Sequence, residues 1–283
     1  MSLLGKVYKI NFTPKSLKTS NFSKNREEKK KKLRLLNSHK KHKMEMPIDM
    51  QHQQMGYDRT ATMFTPEGHL LQVEYAEKAV RLGSSSIGMV CSDGVFILSD
   101  KRNEDKLIVP SSANKIHEID EHIIVSIAGI VSDARVLIDR SQVLAQQHRV
   151  TYDSPIEIET VIKEISNLKQ QFSQYGGARP FGVSLMLAGV YNKKFQLYTS
   201  YVTGNYFEYY ANAIGENDEK IRDKLKEVYK KDLTIKKGVK IALDIFKEIQ
   251  GQKFDIDRFE LVYLSKEHEK MQRLEGNKIN ELK

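Results

Sequence analysis

The chain has 283 residues and a formal net charge of +9, from 46 Lys and Arg against 37 Asp and Glu. That balance suggests a nucleic-acid binder until it is followed along the chain: residues 1–43 carry 14 basic side chains against Glu27 and Glu28, and the remaining 240 carry 32 basic and 35 acidic. A single cysteine, Cys91, excludes an internal disulfide and points to a reducing, cytoplasmic setting. No apolar run approaches the roughly 18 residues of a membrane span. The Leu3-Leu4 start has neither the apolar run nor the cleavage site of a signal peptide.

Three regions follow from composition. Residues 1–54 read as a basic, disordered extension: Lys29–Lys32, Arg34 and Lys40-Lys41-His42-Lys43 repel one another and supply no core. The arm has the composition for a nucleic-acid contact, and Met44, Met46, Met50 and Met55 are later candidate starts. Residues 55–264 form the body, and 265–283 a charged C-terminal tail.

Within the body, Thr65-Pro66-Glu67-Gly68 reads as a turn. Leu70, Leu71, Val73, Ala76, Ala79 and Val80 then recur at helical spacing, which predicts a helix over 69–82 ended by Gly83. Its apolar surface exceeds one stripe. Strands follow at 85–91 and 95–99, joined through Asp93-Gly94, and at 115–119 and 122–128, joined by Asp120-Glu121. Sequential pairing of this kind is antiparallel and excludes a Rossmann unit.

Ser132-Asp133 opens a helix to about 149. Ser154, Pro155 and Glu157 have the spacing of a capping box for a second, with Ile158, Val161, Ile162, Ile165, Leu168 and Phe172 on its buried face. Strands return at 181–190, 195–201 and 206–213, then helices at 217–230 and 235–250, and a last strand at 256–264. Helix pairs interrupting strand runs predict an α+β fold of four layers, α-β-β-α, with two antiparallel sheets inside.

The sequence has no phosphate-binding glycine loop, no nucleophile elbow and no HExxH. Its eight histidines are scattered, so neither a metal site nor a cofactor is expected. Three local sequences stand out: Gly56-Tyr57-Asp58-Arg59, Gln72-Val73-Glu74-Tyr75-Ala76, and Tyr175-Gly176-Gly177-Ala178-Arg179-Pro180-Phe181-Gly182-Val183-Ser184. With Asp100-Lys101-Arg102 and Ala128-Gly129-Ile130-Val131-Ser132-Asp133-Ala134-Arg135 in register between them, the stretch from Gly56 to Leu264 resembles the α-type subunit of the 20S proteasome, the archaeal form above all.

The resemblance implies the sandwich of N-terminal-nucleophile hydrolases. It also implies a non-catalytic subunit of a seven-membered α ring, a gated entrance to a cytoplasmic protein-degrading core particle whose β subunits carry the peptidase. Expected partners are other α subunits, proteasome β subunits, the C-terminal tails of ATPase activators, and unfolded substrates passing the gate, with no membrane. Carried onto matching positions, Tyr57, Asp58, Pro66 and Tyr75 form the gate cluster, and Lys115, Gly83 and Ile130 line a pocket for an activator's C-terminal carboxylate. Arg179 reads as half of a structural ion pair.

The enzyme alternative is a self-processed peptidase. Ser84 would be the nucleophile, freed by cleavage after Gly83, with Asp100 and Lys115 at the positions of the acid and the lysine. Such cleavage would remove the helix at 69–82 and the Tyr57-Asp58-Arg59 segment. Without it the Ser84 nitrogen stays an amide and cannot act as a base. Departures from the family are the long stretch before Tyr57, Asn114 where an acid is common, and Tyr210 where a lysine is common.

Overall fold

A computed structural model describes residues 56, 59–60, 62–102, 107–266 and 271–282. The basic arm, with Tyr57 and Asp58, lies outside them. The elements in chain order are α1 (Leu71–Leu82), β1 (Ser86–Val90), β2 (Gly94–Asp100), β3 (Ile116–Asp120), β4 (Ile123–Gly129), α2 (Val131–Tyr152), α3 (Ile158–Gln174), β5 (Val183–Tyr191), β6 (Lys194–Ser200), β7 (Tyr206–Glu208), β8 (Ala211–Ile214), α4 (Asp218–Val228), α5 (Ile235–Gln250), β9 (Phe259–Ser265) and β10 (Gln272–Glu275).

Two five-stranded sheets result, β10-β9-β2-β1-β8 and β3-β4-β5-β6-β7, antiparallel at every pairing. Strand alternation explains the layering. In β2, Phe96 and Leu98 face α4 and α5, whereas Val95 and Ile97 face the other sheet. In β5, Leu185 and Leu187 face α2 and α3, whereas Met186 and Ala188 face inward. Strands buried on both faces need a cover on each side, which gives the expected α-β-β-α sandwich. Val73 and Val80 anchor α1 in the inter-sheet core. The hydroxyls of Ser86, Ser99 and Ser126 satisfy one another across the sheets at 2.8–2.9 Å.

Three local expectations are corrected. The capping box does not form: α3 starts at Ile158, and Glu157 at its N-cap makes no side-chain bond. Residues 154–156 stay outside the helix because Ile156 is drawn into the core while its carbonyl accepts from His122 Nε2 at 2.8 Å. The strand expected at 206–213 is two strands in different sheets. Tyr209 N donates to the Leu197 carbonyl in one sheet, and the Tyr210 carbonyl accepts from Val90 N in the other. In the charged tail, β10 pairs with β9, and a following 3-10 turn, Gly276–Leu282, buries Ile279. Gly83 does end α1, but at φ −69° it is not a left-handed cap. It is glycine because a Cβ there would lie 2.5 Å from Gly129 N.

Candidate functional site

The chain between α1 and β1 passes the heads of β3 and α2, and this brings the three expected pocket residues to one place. Gly83 packs against the Ala128–Gly129 backbone. The next residue, Ile130, is partly exposed, and its amide donates to the Gly182 carbonyl at 2.9 Å. Gly129, at φ +117°, would set a Cβ 2.2 Å from that same carbonyl, so the crossing requires glycine. Lys115 Nζ donates to the Ser84 carbonyl.

A lysine at the head of an edge strand is ordinarily solvated, but Lys115 is 8 % exposed. Burial pulls its amine down to about 7; Asp100 and Glu260 work against that pull and Arg102 adds to it. Near neutral pH part of the population is therefore the neutral amine, which an ordinary exposed lysine is not.

Asp100 is fully buried and takes its hydrogen bonds from other residues. Arg258 grips it through Nε (3.2 Å) and Nη2 (2.6 Å), Gln250 Nε2 donates at 3.0 Å, and the Arg102 amide at 3.0 Å. The Gly83–Ser84 junction is an internal peptide. Gly83 N donates to the Val80 carbonyl at 3.0 Å and Gly83 O accepts from Glu216 N at 2.8 Å.

Of the expected gate residues, Pro66 and Tyr75 are described. Pro66 is exposed on a turn closed by Gly68 N donating to the Thr65 carbonyl at 2.8 Å, and Gly68 has φ +86°. His69 Nδ1 meets Glu74 Oε1 at 2.5 Å, which ties that turn to α1. Tyr75 is half-buried on α1 with the Lys78 ammonium 5.3 Å from its ring centroid. A cleft of about 360 Å³ lies between Arg59, Thr60 and Thr62 on one side and the Gly176–Arg179 loop on the other, so two of the conspicuous sequence motifs are neighbours.

Arg179 forms the expected structural pair: its Nη1 and Nη2 meet the Asp133 carboxylate at 2.6 and 2.7 Å. Asp133 also accepts from Gly182 N at 3.0 Å, which fixes the loop carrying the carbonyl that holds Ile130. The Arg179 bonds hold the Asp133 carboxyl below its ordinary value. Asp133→Asn should therefore lower stability by about 1–2 kcal/mol at neutral pH. The folded-state value is depressed, so this stabilisation is present above the ordinary 3.8 and fades as pH falls below it. Denaturant titrations of both chains should converge in acid.

Sequence reasoning missed two buried charged residues. Glu260 accepts from the amides of Lys115 and Ile116, and Arg273 Nη1 donates to it at 2.6 Å. Lys169 on α3 is fully buried with no acidic partner among the described residues; its ammonium donates to the carbonyls of Val183 (3.1 Å), Ser200 (3.2 Å) and Tyr201 (3.4 Å). Both positions were signalled by periodicity. Lys169 stands four residues after Ile165 on the apolar face, and Glu260 alternates with Val262 and Leu264 on the inward face of β9. Cys91 is buried, and burial, with Asp93 adding, pushes its thiol up to about 12, so it is chemically inert. Among the described residues no group of three or more His, Cys, Asp or Glu is placed to hold a metal ion, and no helix is long and apolar enough to cross a membrane.

Comparison with known proteins places this geometry in a family. Residues 57–79 match the family model for the N-terminal signature of A-type proteasome subunits, and residues 80–264 match the general proteasome-subunit model. The chain is 39 % identical over 229 residues to the proteasome alpha subunit of Methanopyrus kandleri, covering 81 % of this chain and 92 % of that one. It is 40 % identical over 227 residues to that of Methanosarcina thermophila, covering 80 % and 92 %. With the alpha subunit of Archaeoglobus fulgidus the identity is 45 % over 190 residues, 67 % of this chain and 77 % of that one. The chain belongs to the family of α-type subunits of the 20S proteasome.

Proposed function

We propose that this chain is a non-catalytic ring subunit that forms the gated entrance of a cytoplasmic 20S particle and docks the C-terminal tails of ATPase activators. In this reading seven copies or close relatives form a ring, β subunits beneath it hydrolyse the unfolded chains that pass, and the exposed Leu82 of α1 contributes to a subunit contact. Tyr57, Asp58, Pro66 and Tyr75 hold the gate open, and Lys115, Gly83 and Ile130 receive the activator's terminal carboxylate. The basic arm contributes an anionic contact at most.

The observation that carries the non-catalytic reading is the direction of Lys115. In a self-processed hydrolase the lysine would serve the nucleophile's hydroxyl or amine. Here it donates to the Ser84 carbonyl, and Asp100 is committed to Arg258. The convergence of Gly83, Lys115 and Ile130 supports the pocket.

The test uses particles assembled from this chain and a β subunit from the same organism. Ser84→Ala in this chain should leave peptide hydrolysis unchanged, while replacing the first-residue threonine of the processed β subunit should abolish it. Loss of hydrolysis on Ser84→Ala would establish the enzyme reading instead.

A further inference from the structure

Lys115 precedes an edge strand. Among the described residues β3 pairs with β4 alone, so polar backbone groups at its head need partners from elsewhere. The partners come from the other sheet. Glu260 of β9, fully buried, accepts at Oε1 from the N–H groups of Lys115 (2.5 Å) and Ile116 (2.7 Å). Its Oε2 accepts from Arg273 Nη1 at 2.6 Å, and Arg273 Nη2 donates to the Ile116 carbonyl at 2.7 Å. Two side chains thus close four hydrogen bonds around residues 115 and 116. A buried carboxylate is unfavourable alone; burial pushes the Glu260 carboxyl up, against the pull of Arg273 and the two amides. Only a planar, two-armed cation can neutralise that carboxylate and hold the strand carbonyl at once.

We propose that Glu260 and Arg273 are positioning residues of the Lys115 pocket, a clamp from one sheet onto the edge strand of the other that sets where the lysine ammonium meets a ligand's terminal carboxylate. This rests on the pocket reading above, and neither residue touches the ligand. Its electrical consequence follows from what surrounds the amine. Asp100 of β2 and Glu260 of β9 favour the protonated lysine, Arg102 after β2 disfavours it, and the chain leaving α1 offers the uncharged Ser84 carbonyl. Glu260 in turn faces Arg273 of β10 and Lys101. Loss of the Glu260 charge therefore loosens the Lys115 proton.

The test measures binding of a short fluorescent peptide ending in leucine to the assembled particle across the neutral pH range. The same peptide with an amidated end is the control. Glu260→Gln should move the pH midpoint of carboxylate-dependent binding down by about one unit, so that affinity at pH 7 falls about fivefold. Arg273→Lys keeps the charge but not the two-armed bridge, and should weaken binding about fivefold with the midpoint unmoved. It decides the matter if Glu260→Gln fails to assemble. Lys115→Met should erase the preference for the free carboxylate. If it does not, the pocket reading fails and the clamp with it. If it does, while Arg273→Lys and any assembled Glu260→Gln keep natural affinity and midpoint, the clamp alone is overturned.

Discussion

Lys169→Met is expected to make the protein more stable than the natural chain at pH 7, by about 2 kcal/mol, with the gain shrinking as pH rises toward the ordinary lysine value. The Lys169 amine is fully buried beneath α3, no carboxylate among the described residues pairs with it, and burial pulls it from 10.5 down to about 7. In the unfolded chain the amine keeps its proton up to about 10.5. Between the two values the unfolded state holds more protons, so raising the pH favours folding. Below 7 both states are protonated and the full penalty of the buried charge stands; above 10.5 neither is, and the penalty is gone. The span corresponds to roughly 1.4 kcal/mol per unit. The three carbonyl bonds offset part of it, and a methionine of similar volume fills the space without replacing those bonds. Denaturant unfolding across neutral and alkaline pH should show the two stability curves approaching each other. Parallel curves would mean that the amine binds its proton equally in the folded and unfolded protein, which contradicts the burial effect.

Lys115→Ala should abolish stimulation of peptide hydrolysis by an ATPase activator, while unstimulated hydrolysis and ring assembly persist. The side chain donates one described hydrogen bond, to the Ser84 carbonyl, and its loss is offset by removal of a buried amine, so the fold is expected to persist. Stimulation in the natural particle should also decline as pH rises past 7, where Lys115 gives up its proton. Hydrolysis assays with and without activator at several pH values check both statements; a normally stimulated mutant would remove Lys115 from the pocket.

Element type and order were legible in the sequence because both faces of the inner strands and one face of each helix follow clean periods of two and 3.6. The misreadings have particular causes. Tyr206 to Ala213 runs without glycine or proline, so nothing local marks the point where the chain leaves one sheet for the other between Tyr209 and Tyr210. Ser154-Pro155-Ile156-Glu157 has capping chemistry, but burial of Ile156 outweighs it. The charged tail hid Arg273 and Ile279 because composition averages over the few side chains that dock. At the site, Gly83, Lys115 and Ile130 were named from motif register, and their convergence follows from three glycines packed at one crossing. Glu260 and Lys169 were not singled out because charged side chains are ordinarily solvated, although each stands in register with buried apolar neighbours.

Native mass spectrometry of the purified chain with its β partner tests the central claim most directly, since one spectrum reports both assembly and processing. The account predicts a ring of seven subunits that each retain Gly83 and everything from Tyr57 onward, stacked on β subunits. Chains that begin at Ser84, or a chain that stays monomeric beside an assembled β ring, would contradict it.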